Sequence, residues 1–355
     1  MWETNRRRLA LALAVTATLA LTPGGTRVAA DGRTRGELAL AAANASTERR
    51  LIPGGQSVGI AIGAAGVVVV GMSDLGGTPS PARLAGLRSG DIIRGINGEP
   101  VNSSEALSNA LDGGVVTLDI LRNGKLIACH VAPALDDRDG RWRLGAWVRD
   151  STAGVGTLTF IDPETGAYGA LGHAITDADT SVTMPVGVGE LYANKVVDVT
   201  PSRQGKPGEL TGDFVFHPEA IGTVEVNTER GIFGHAKGVN RGLYPDGLPL
   251  ASRSELHTGP ASLLTTVDGG NTAEYDCEIV RLRDVGNRSM VVRVTDPELI
   301  QRTGGIVQGM SGSPILQDGR LVGAVTHVMI NDPAMGYGIA IDAMLEALET
   351  LDAAA

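Results

Sequence analysis

Cysteine is nearly absent from the chain. The two present, Cys129 and Cys277, are too few for a disulfide scaffold. Their spacing leaves pairing open, and two separate buried thiols is the plainer expectation. Positive charge is in deficit too: 30 Lys and Arg stand against 40 acids, a net charge of -10. That leaves no general attraction to phosphate backbones or anionic membranes, so a nucleic-acid function is disfavoured. Beyond the first thirty residues no apolar run could span a membrane, and no internal repeat or low-complexity tract occurs. No two His have the close spacing of a zinc helix motif, which disfavours metalloprotease chemistry; no metal and no cofactor is expected. Aromatics make up 3% of the chain, whereas Gly is abundant at 49 of 355 residues, roughly twice ordinary usage. So much Gly predicts a turn-rich, mainly β architecture. The length suggests about two or three domains, and 43% hydrophobic content suffices for packed cores.

The amino terminus has the layout of a secretory signal. Three Arg at 6 to 8 precede an apolar stretch from Leu9 to Leu21, then Pro23-Gly24-Gly25 and a small-residue site at Val28-Ala29-Ala30. Residues 1–30 are therefore read as a signal peptide or signal anchor, and export across the cytoplasmic membrane is expected. Cleavage after Ala30 would remove four Arg and one Glu, leaving a body more acidic than the whole chain. Residues 31–50 are small and polar and read as a tether exposed to proteolysis.

From Leu51 short apolar runs alternate with Gly-rich turns. The string GLRSGDIIRGINGEPV, from Gly86 to Val101, holds Asn97-Gly98 between apolar residues, a strong tight-turn signal. A helix is predicted from Ser103 to Leu111, with Ser as N-cap, followed by a hairpin from Val115 to His130 around Arg122-Asn123-Gly124. This order resembles a bacterial PDZ domain over residues 51–135. The resemblance implies that an extended peptide adds as a strand at a sheet edge, its carboxylate captured by backbone amides. On that likeness the capturing loop would be Ser57, Val58, Gly59 and Ile60. Residues 136–355 again read as short strands between Gly, Pro and Asp turns, at barrel or sandwich spacing, with a terminal helix from Ile341 to Leu351.

One hexapeptide, Gly309-Met310-Ser311-Gly312-Ser313-Pro314, carries the chemistry. A nucleophilic serine needs a tight Gly-flanked turn that presents its side chain while neighbouring amides converge into an oxyanion hole. The string resembles the Gly-Asp-Ser-Gly-Gly-Pro signature of chymotrypsin-like proteases, with Ser311 as nucleophile and the amides of Gly309 and Ser311 as the hole. Met310 stands where that signature has Asp. A base is also needed, and of the six His, His173 lies at the end of an apolar strand in YGALGHAITD. His217, His235 and His257 sit in polar loops and are weaker candidates.

The strings LIPGGQSVGI, RDSTAGVGTLTF, YGALGHAITDADT, VTDPELIQRTGGIVQGMSGSPI and LVGAVTHVMINDPAMGYGI closely resemble the stage IV sporulation protein B peptidases, nearly throughout residues 51 to 341. The resemblance implies a PDZ domain followed by a chymotrypsin-like double β-barrel and a serine endopeptidase mechanism. Its base would be His173, its nucleophile Ser311 and its third member Asp296, which would fix the tautomer of His173. From the residues alone that last assignment is open. Asp296 lies close before Ser311, whereas chymotrypsin-like enzymes bring their Asp from the first barrel, and Asp177, Asp198 and Asp213 compete by chain order. His327, on the strand after the nucleophile, would line the primary specificity pocket or pack beneath it. The resemblance further implies an exported enzyme in the intermembrane space of a developing forespore. There it would cleave a membrane-bound regulator of an intramembrane protease, so that a late sigma-factor precursor is processed, and would cleave itself near its amino terminus. A general extracytoplasmic quality-control protease and a non-catalytic PDZ adaptor are the alternatives. The order PDZ first, peptidase second favours the regulatory reading.

Overall fold

The computed structural model describes residues 49–352 apart from 214–218, 239–240 and 284–287. The expected signal at 1–30, nearly all of the expected tether and His217 lie outside the described residues. Among those described, no helix is long and apolar enough to cross a membrane.

Two strands of sixteen residues, Ser57–Met72 and Ala146–Ile161, run antiparallel and organise the first half of the molecule. Both are longer than one domain needs, and each serves two. Where Ser57–Gly63 pairs with Thr157–Ser151, the sheet continues to the strand Val186–Ala193 on one side and to Ala167–Ala170 and Gly231–His235 on the other. Where Val68–Met72 pairs with Arg149–Ala146, the sheet continues instead to Ile92–Ile96, Val116–Arg122 and Lys125–Val131. The second part is the PDZ fold, with its own core of Val67, Val69, Ile93, Ile96, Leu107, Leu118 and Leu144.

Local signals in that module act as read. Asn97 and Gly98 both take positive φ, 53° and 84°, as a two-residue hairpin turn requires. Ser103 caps the helix Ser104–Asn109 by accepting the Ala106 N–H at 3.0 Å. Asp91 is buried and held by both the Nε and a terminal nitrogen of Arg122, at 2.7 and 2.6 Å.

The expected peptide-capturing segment is corrected. Ser57, Val58, Gly59 and Ile60 form a central strand, paired with Thr157–Gly154 on one edge and, from Val58 on, with Ala193–Leu191 on the other. All four are buried, and no edge remains to which a peptide strand could add. The break expected at residue 135 likewise falls within continuous structure, since Ala134–Asp136 pairs with Arg141–Arg143 and Leu144 sits in the PDZ core. Arg50 and Leu51, at the expected end of the tether, pair with Pro249 and Leu248.

The second half is a closed six-stranded barrel of Gly259–Thr265, Ala273–Leu282, Met290–Val294, Met335–Ala340, Arg320–Val328 and Pro314–Gln317. Its core holds Leu263, Ile279, Val292, Ile315 and Val325. The helix Ile341–Asp352 places Met344 and Leu348, one turn apart, into a third cluster with Phe160, Phe233 and Ile339 that joins the barrel to the first sheet. The architecture is thus mainly β, with one barrel closed and the other half, expected as a second barrel, an open sheet shared with the PDZ module. Cys129 lies in the PDZ core and Cys277 in the closed barrel, two separate thiols, with burial pushing that of Cys277 up to about 12.

Candidate active site

The loop from Gly309 leads into the strand Pro314–Gln317 of the closed barrel. Gly309 and Gly312 adopt φ of 96° and 97°, a region closed to other residues without strain. A Cβ on Gly312 would also overlap the carbonyl oxygen of Thr157. Met310 is fully buried in the barrel core, which accounts for an apolar residue where the chymotrypsin-like signature has Asp. Strand Ala146–Ile161 grips this loop three times. The Thr157 amide donates to the Ser311 carbonyl at 2.9 Å, the Thr157 hydroxyl to the Gly309 carbonyl at 2.8 Å, and the Thr159 hydroxyl to the Gly312 carbonyl at 2.8 Å. The first sheet therefore sets the shape of a loop that belongs to the second barrel. Among the described residues, the amides of Gly309 and Ser311 donate to no protein acceptor, as an oxyanion hole requires.

His173 arrives from the first sheet. After the strand Ala167–Ala170, Leu171 and Gly172 both take positive φ, 68° and 70°. For a buried leucine that conformation costs on the order of 1–3 kcal/mol and marks a site of constraint. The turn carries His173 over the seam between the two halves. There it shares with Ser311 a cleft of about 600 Å³, walled by Ile60, Leu171, Ile175, Ile306, Val307 and Val328. The Nδ1 of His173 lies 2.8 Å from the Ala174 carbonyl oxygen. A carbonyl only accepts, so Nδ1 carries the hydrogen and Nε2 keeps the lone pair of a base. Burial lowers the pKa of this imidazole, and the Ala174 carbonyl partly opposes the shift. The Ser311 hydroxyl donates to the Thr326 carbonyl at 2.6 Å, a resting arrangement in which it has not yet turned to the histidine.

Asp296 is not part of this arrangement. It is the N-cap of the helix Pro297–Thr303, accepting the Glu298 and Leu299 amides at 2.9 and 3.0 Å. It neither lines the cleft nor bonds His173. The expectation of a third member at Asp296 is thereby corrected: Asp-Pro-Glu is a helix-start signal, and the helix claims the carboxylate. Its rivals are also engaged or remote. Asp177 is buried and bonded to Arg149 at 2.5 Å and to the Thr180 hydroxyl. Asp198 accepts the Val199 amide on an exposed strand, and Asp213 ends the strand Glu209–Asp213, outside the cleft lining. Of the remaining histidines, His235 bonds Glu225 and His257 bonds Asp318, both at exposed positions. His327 does lie on the cleft wall, its ring centroid 4.8 Å from that of His173.

Sequence reasoning missed Thr157, Thr159 and Thr326. The alternation Gly156-Thr157-Leu158-Thr159-Phe160 carried a usable signal, since period-2 threonines on a strand point to one face. A second groove, of about 230 Å³, was also missed. It lies between the helix Ser104–Asn109 and Leu144-Gly145-Ala146-Trp147-Val148, lined by Leu107, Leu111 and Trp142 with Arg138 and Arg143 beside it. Among the described residues the strand from Ala146 to Arg149 is paired on one edge only, and Gly145 turns with φ of 65°.

Residues 140–345 match the SpoIVB peptidase S55 family, and residues 76–122 match the PDZ domain. Among solved structures, the active form of the Rv3671c protease from M. tuberculosis is similar at 16% identity and a TM-score of 0.34, over 56% of this chain and 74% of that one. Its inactive form gives 18% identity and 0.31 over 55% and 83%. The HtrA-type protease AlgW with a decapeptide gives 11% and 0.32 over 61% and 57%. The family match spans more than half of the chain, and the protein belongs to the SpoIVB peptidase S55 family of serine peptidases, with a PDZ domain.

Proposed function

We propose that Ser311 is the nucleophile, His173 the general base and the amides of Gly309 and Ser311 the oxyanion hole. The supporting observation is that a serine and a histidine with a free Nε2 meet in one cleft beside two unengaged amides. The Ser311 hydroxyl leaves the Thr326 carbonyl by rotating about χ1 and passes its proton to His173 Nε2 as its oxygen attacks the scissile carbonyl. The oxyanion is met by the two amides, each worth about 3 kcal/mol in such sites. His173 then gives the proton to the leaving amine, and water resolves the acyl-enzyme by the same steps in reverse.

The substrate reading rests on the family and on the motifs that carry it. The enzyme acts outside the cytoplasmic membrane during endospore formation, in the forespore intermembrane space. It cleaves a membrane-bound regulator of an intramembrane protease, and itself within residues 31–50. Its PDZ ligand is a peptide or protein carboxyl terminus, added as a strand to Ala146–Arg149 against the helix Ser104–Asn109, in place of the Ser57–Ile60 segment. The test is Ser311→Ala in sporulating cells. Self-cleavage and processing of the regulator should both stop, and continued processing of either would refute the serine mechanism.

A further inference from the structure

The strand Ala146–Ile161 meets two cavities in succession. Residues 145–148 line the groove beside the helix Ser104–Asn109, and residues 152–155 line the cleft that holds Ser311 and His173. Both lie along one edge of the strand. The strand Ser57–Met72 pairs with Ala146–Arg149 and again with Ser151–Thr157, so it covers the other edge in both stretches. Two amides mark the sides. That of Leu158 donates to the Gln56 carbonyl on the covered side, whereas that of Thr157 donates away from it, to the Ser311 carbonyl at 2.9 Å. Amides alternate between the two edges of an antiparallel strand, so those of Val155 and Ala153 point the same way as that of Thr157. Among the described residues no other backbone group bonds this edge from Ala146 to Val155. There is room above it at Gly154, which is exposed and has no atom within 4 Å of where a Cβ would stand. The groove is walled at its Gly145 end by Trp142, whose ring lies against Gly113. At the end nearer the cleft, Asp150 accepts the amide and the hydroxyl of Ser104 at 2.7 and 2.8 Å, tying the start of the helix to the strand. Arg149, between the two cavities, bonds Asp177 and Asp179 at 2.5 and 2.8 Å, which holds the segment after His173 to the same strand.

We infer that one substrate chain occupies both cavities: its carboxyl terminus is held in the groove at Gly145, its last residues add as a strand along the open edge as far as Val155, and the bond presented to Ser311 lies about 8 to 12 residues before that terminus. The inference rests on the assignment of Ser311 and on the groove at Ala146–Arg149 proposed above. A terminus stopped at the Gly145 wall leaves its preceding residues only one way to run, along the edge towards the cleft. That course is antiparallel to the strand, and a paired antiparallel chain matches it residue for residue. From Ala146 to Thr157 the rise is about 35 Å at roughly 3.3 Å per residue, which sets the distance from the terminus to the cut. Hydrolysis adds one water across the amide, the hydroxyl to the acyl carbon and the hydrogen to the leaving nitrogen. The new amine therefore lies on the groove side, and a tail of about ten residues is left paired to the strand. The substrate class is a protein or peptide with a free, extended carboxy-terminal tail. A site within residues 31–50 is remote from any carboxyl terminus, so self-cleavage there does not use this register.

The experiment needs no knowledge of the natural substrate. Mixed-sequence peptides of about 20 residues, long enough to reach both cavities, are incubated with the full chain as free acids and as carboxyl amides, and the cut positions are read by mass spectrometry. The free acids should be cut mainly about 8 to 12 residues before the carboxyl end, and adding about four residues to that end should move the cut by the same number. The amides should be cut at least tenfold more slowly and at scattered positions, since the groove no longer raises the local concentration of chain at the cleft. Ala153→Pro removes an amide from the open edge and should bring the free acids down to the rate of the amides, with thermal unfolding followed in parallel. Acids and amides cut alike would overturn the inference, as would cuts that stay with a sequence when the tail is lengthened. So would a chain whose Ser311 is labelled by a fluorophosphonate yet leaves every free acid uncut. Should Ala153→Pro fail to fold, the comparison of acids with amides decides the matter alone. Cutting that survives Ser311→Ala would refute the nucleophile instead, and free acids that do not bind the Ser311→Ala protein by calorimetry would refute the groove.

Discussion

The residues around Ser311, the proposed nucleophile, are held from outside their own barrel. Thr157 bonds the loop through both its amide and its hydroxyl, and Thr159 adds a third bond one pleat further on. Both threonines are buried. Replacing Thr157 by Val keeps the volume and removes only the donor to the Gly309 carbonyl, leaving a buried acceptor unpaired. Stability should fall by about 1–3 kcal/mol in denaturant unfolding. The Gly309 amide should also lose its fixed aim, so that kcat falls at least tenfold with KM little changed. A kcat unchanged in a destabilised protein would show that the clamp is structural only. Ser311, Gly309, Gly312 and His173 were legible because their chemistry depends on adjacent residues: a glycine-flanked serine and a histidine ending an apolar strand. Thr157 was not, because its partners lie some 150 positions away along the chain.

Elements explain where the sequence reading went astray. The strings around Asp296 and around Ser57 to Ile60 were assigned by likeness, and each is claimed by an element that spends its polar groups elsewhere. For Asp296 the claimant is the helix Pro297–Thr303. Asn caps a helix about as well as Asp, so Asp296→Asn should keep activity within about threefold, whereas Asp296→Ala should cost about 1 kcal/mol of stability. A loss of several orders of magnitude in kcat for Asp296→Asn would restore the carboxylate to the mechanism. For Ser57–Ile60 the claimant is a strand paired on both sides. The groove beside the helix Ser104–Asn109 keeps one open strand edge with Leu107 beneath it. Leu107→Asp should therefore weaken binding of a carboxy-terminal peptide at least tenfold by calorimetry. Equal binding by that variant would place the ligand elsewhere. The Asn97-Gly98 turn, the Ser103 cap and the terminal helix were read correctly, because turns and caps are decided by a few neighbouring residues.

At the scale of the whole molecule, the two halves meet at the cleft, and in the proposed mechanism their burial of His173 sets the working pH. The base must be neutral to accept a proton. Desolvation lowers its pKa, so its neutral fraction at pH 6 exceeds that of an ordinary histidine. The acid limb of kcat/KM, which reports the free enzyme, should accordingly fall below pH 6.5, and a limb above 6.5 would contradict the burial. His327 is also depressed, to about 4, so the folded protein binds fewer protons than the unfolded chain between those values. Stability should therefore be intact above about pH 6.5 and decline as the pH falls towards 4. The sequence by itself determined the mainly β class, the order of PDZ and peptidase, the serine chemistry and most local turns, since composition, period and short motifs act over a few residues. Only the tertiary structure decided that two sixteen-residue strands are shared between the domains, that a helix takes Asp296 and that the His327 ring stands beside His173. Those facts depend on which distant groups compete for the same polar atoms, and that competition is settled only when the chain has packed.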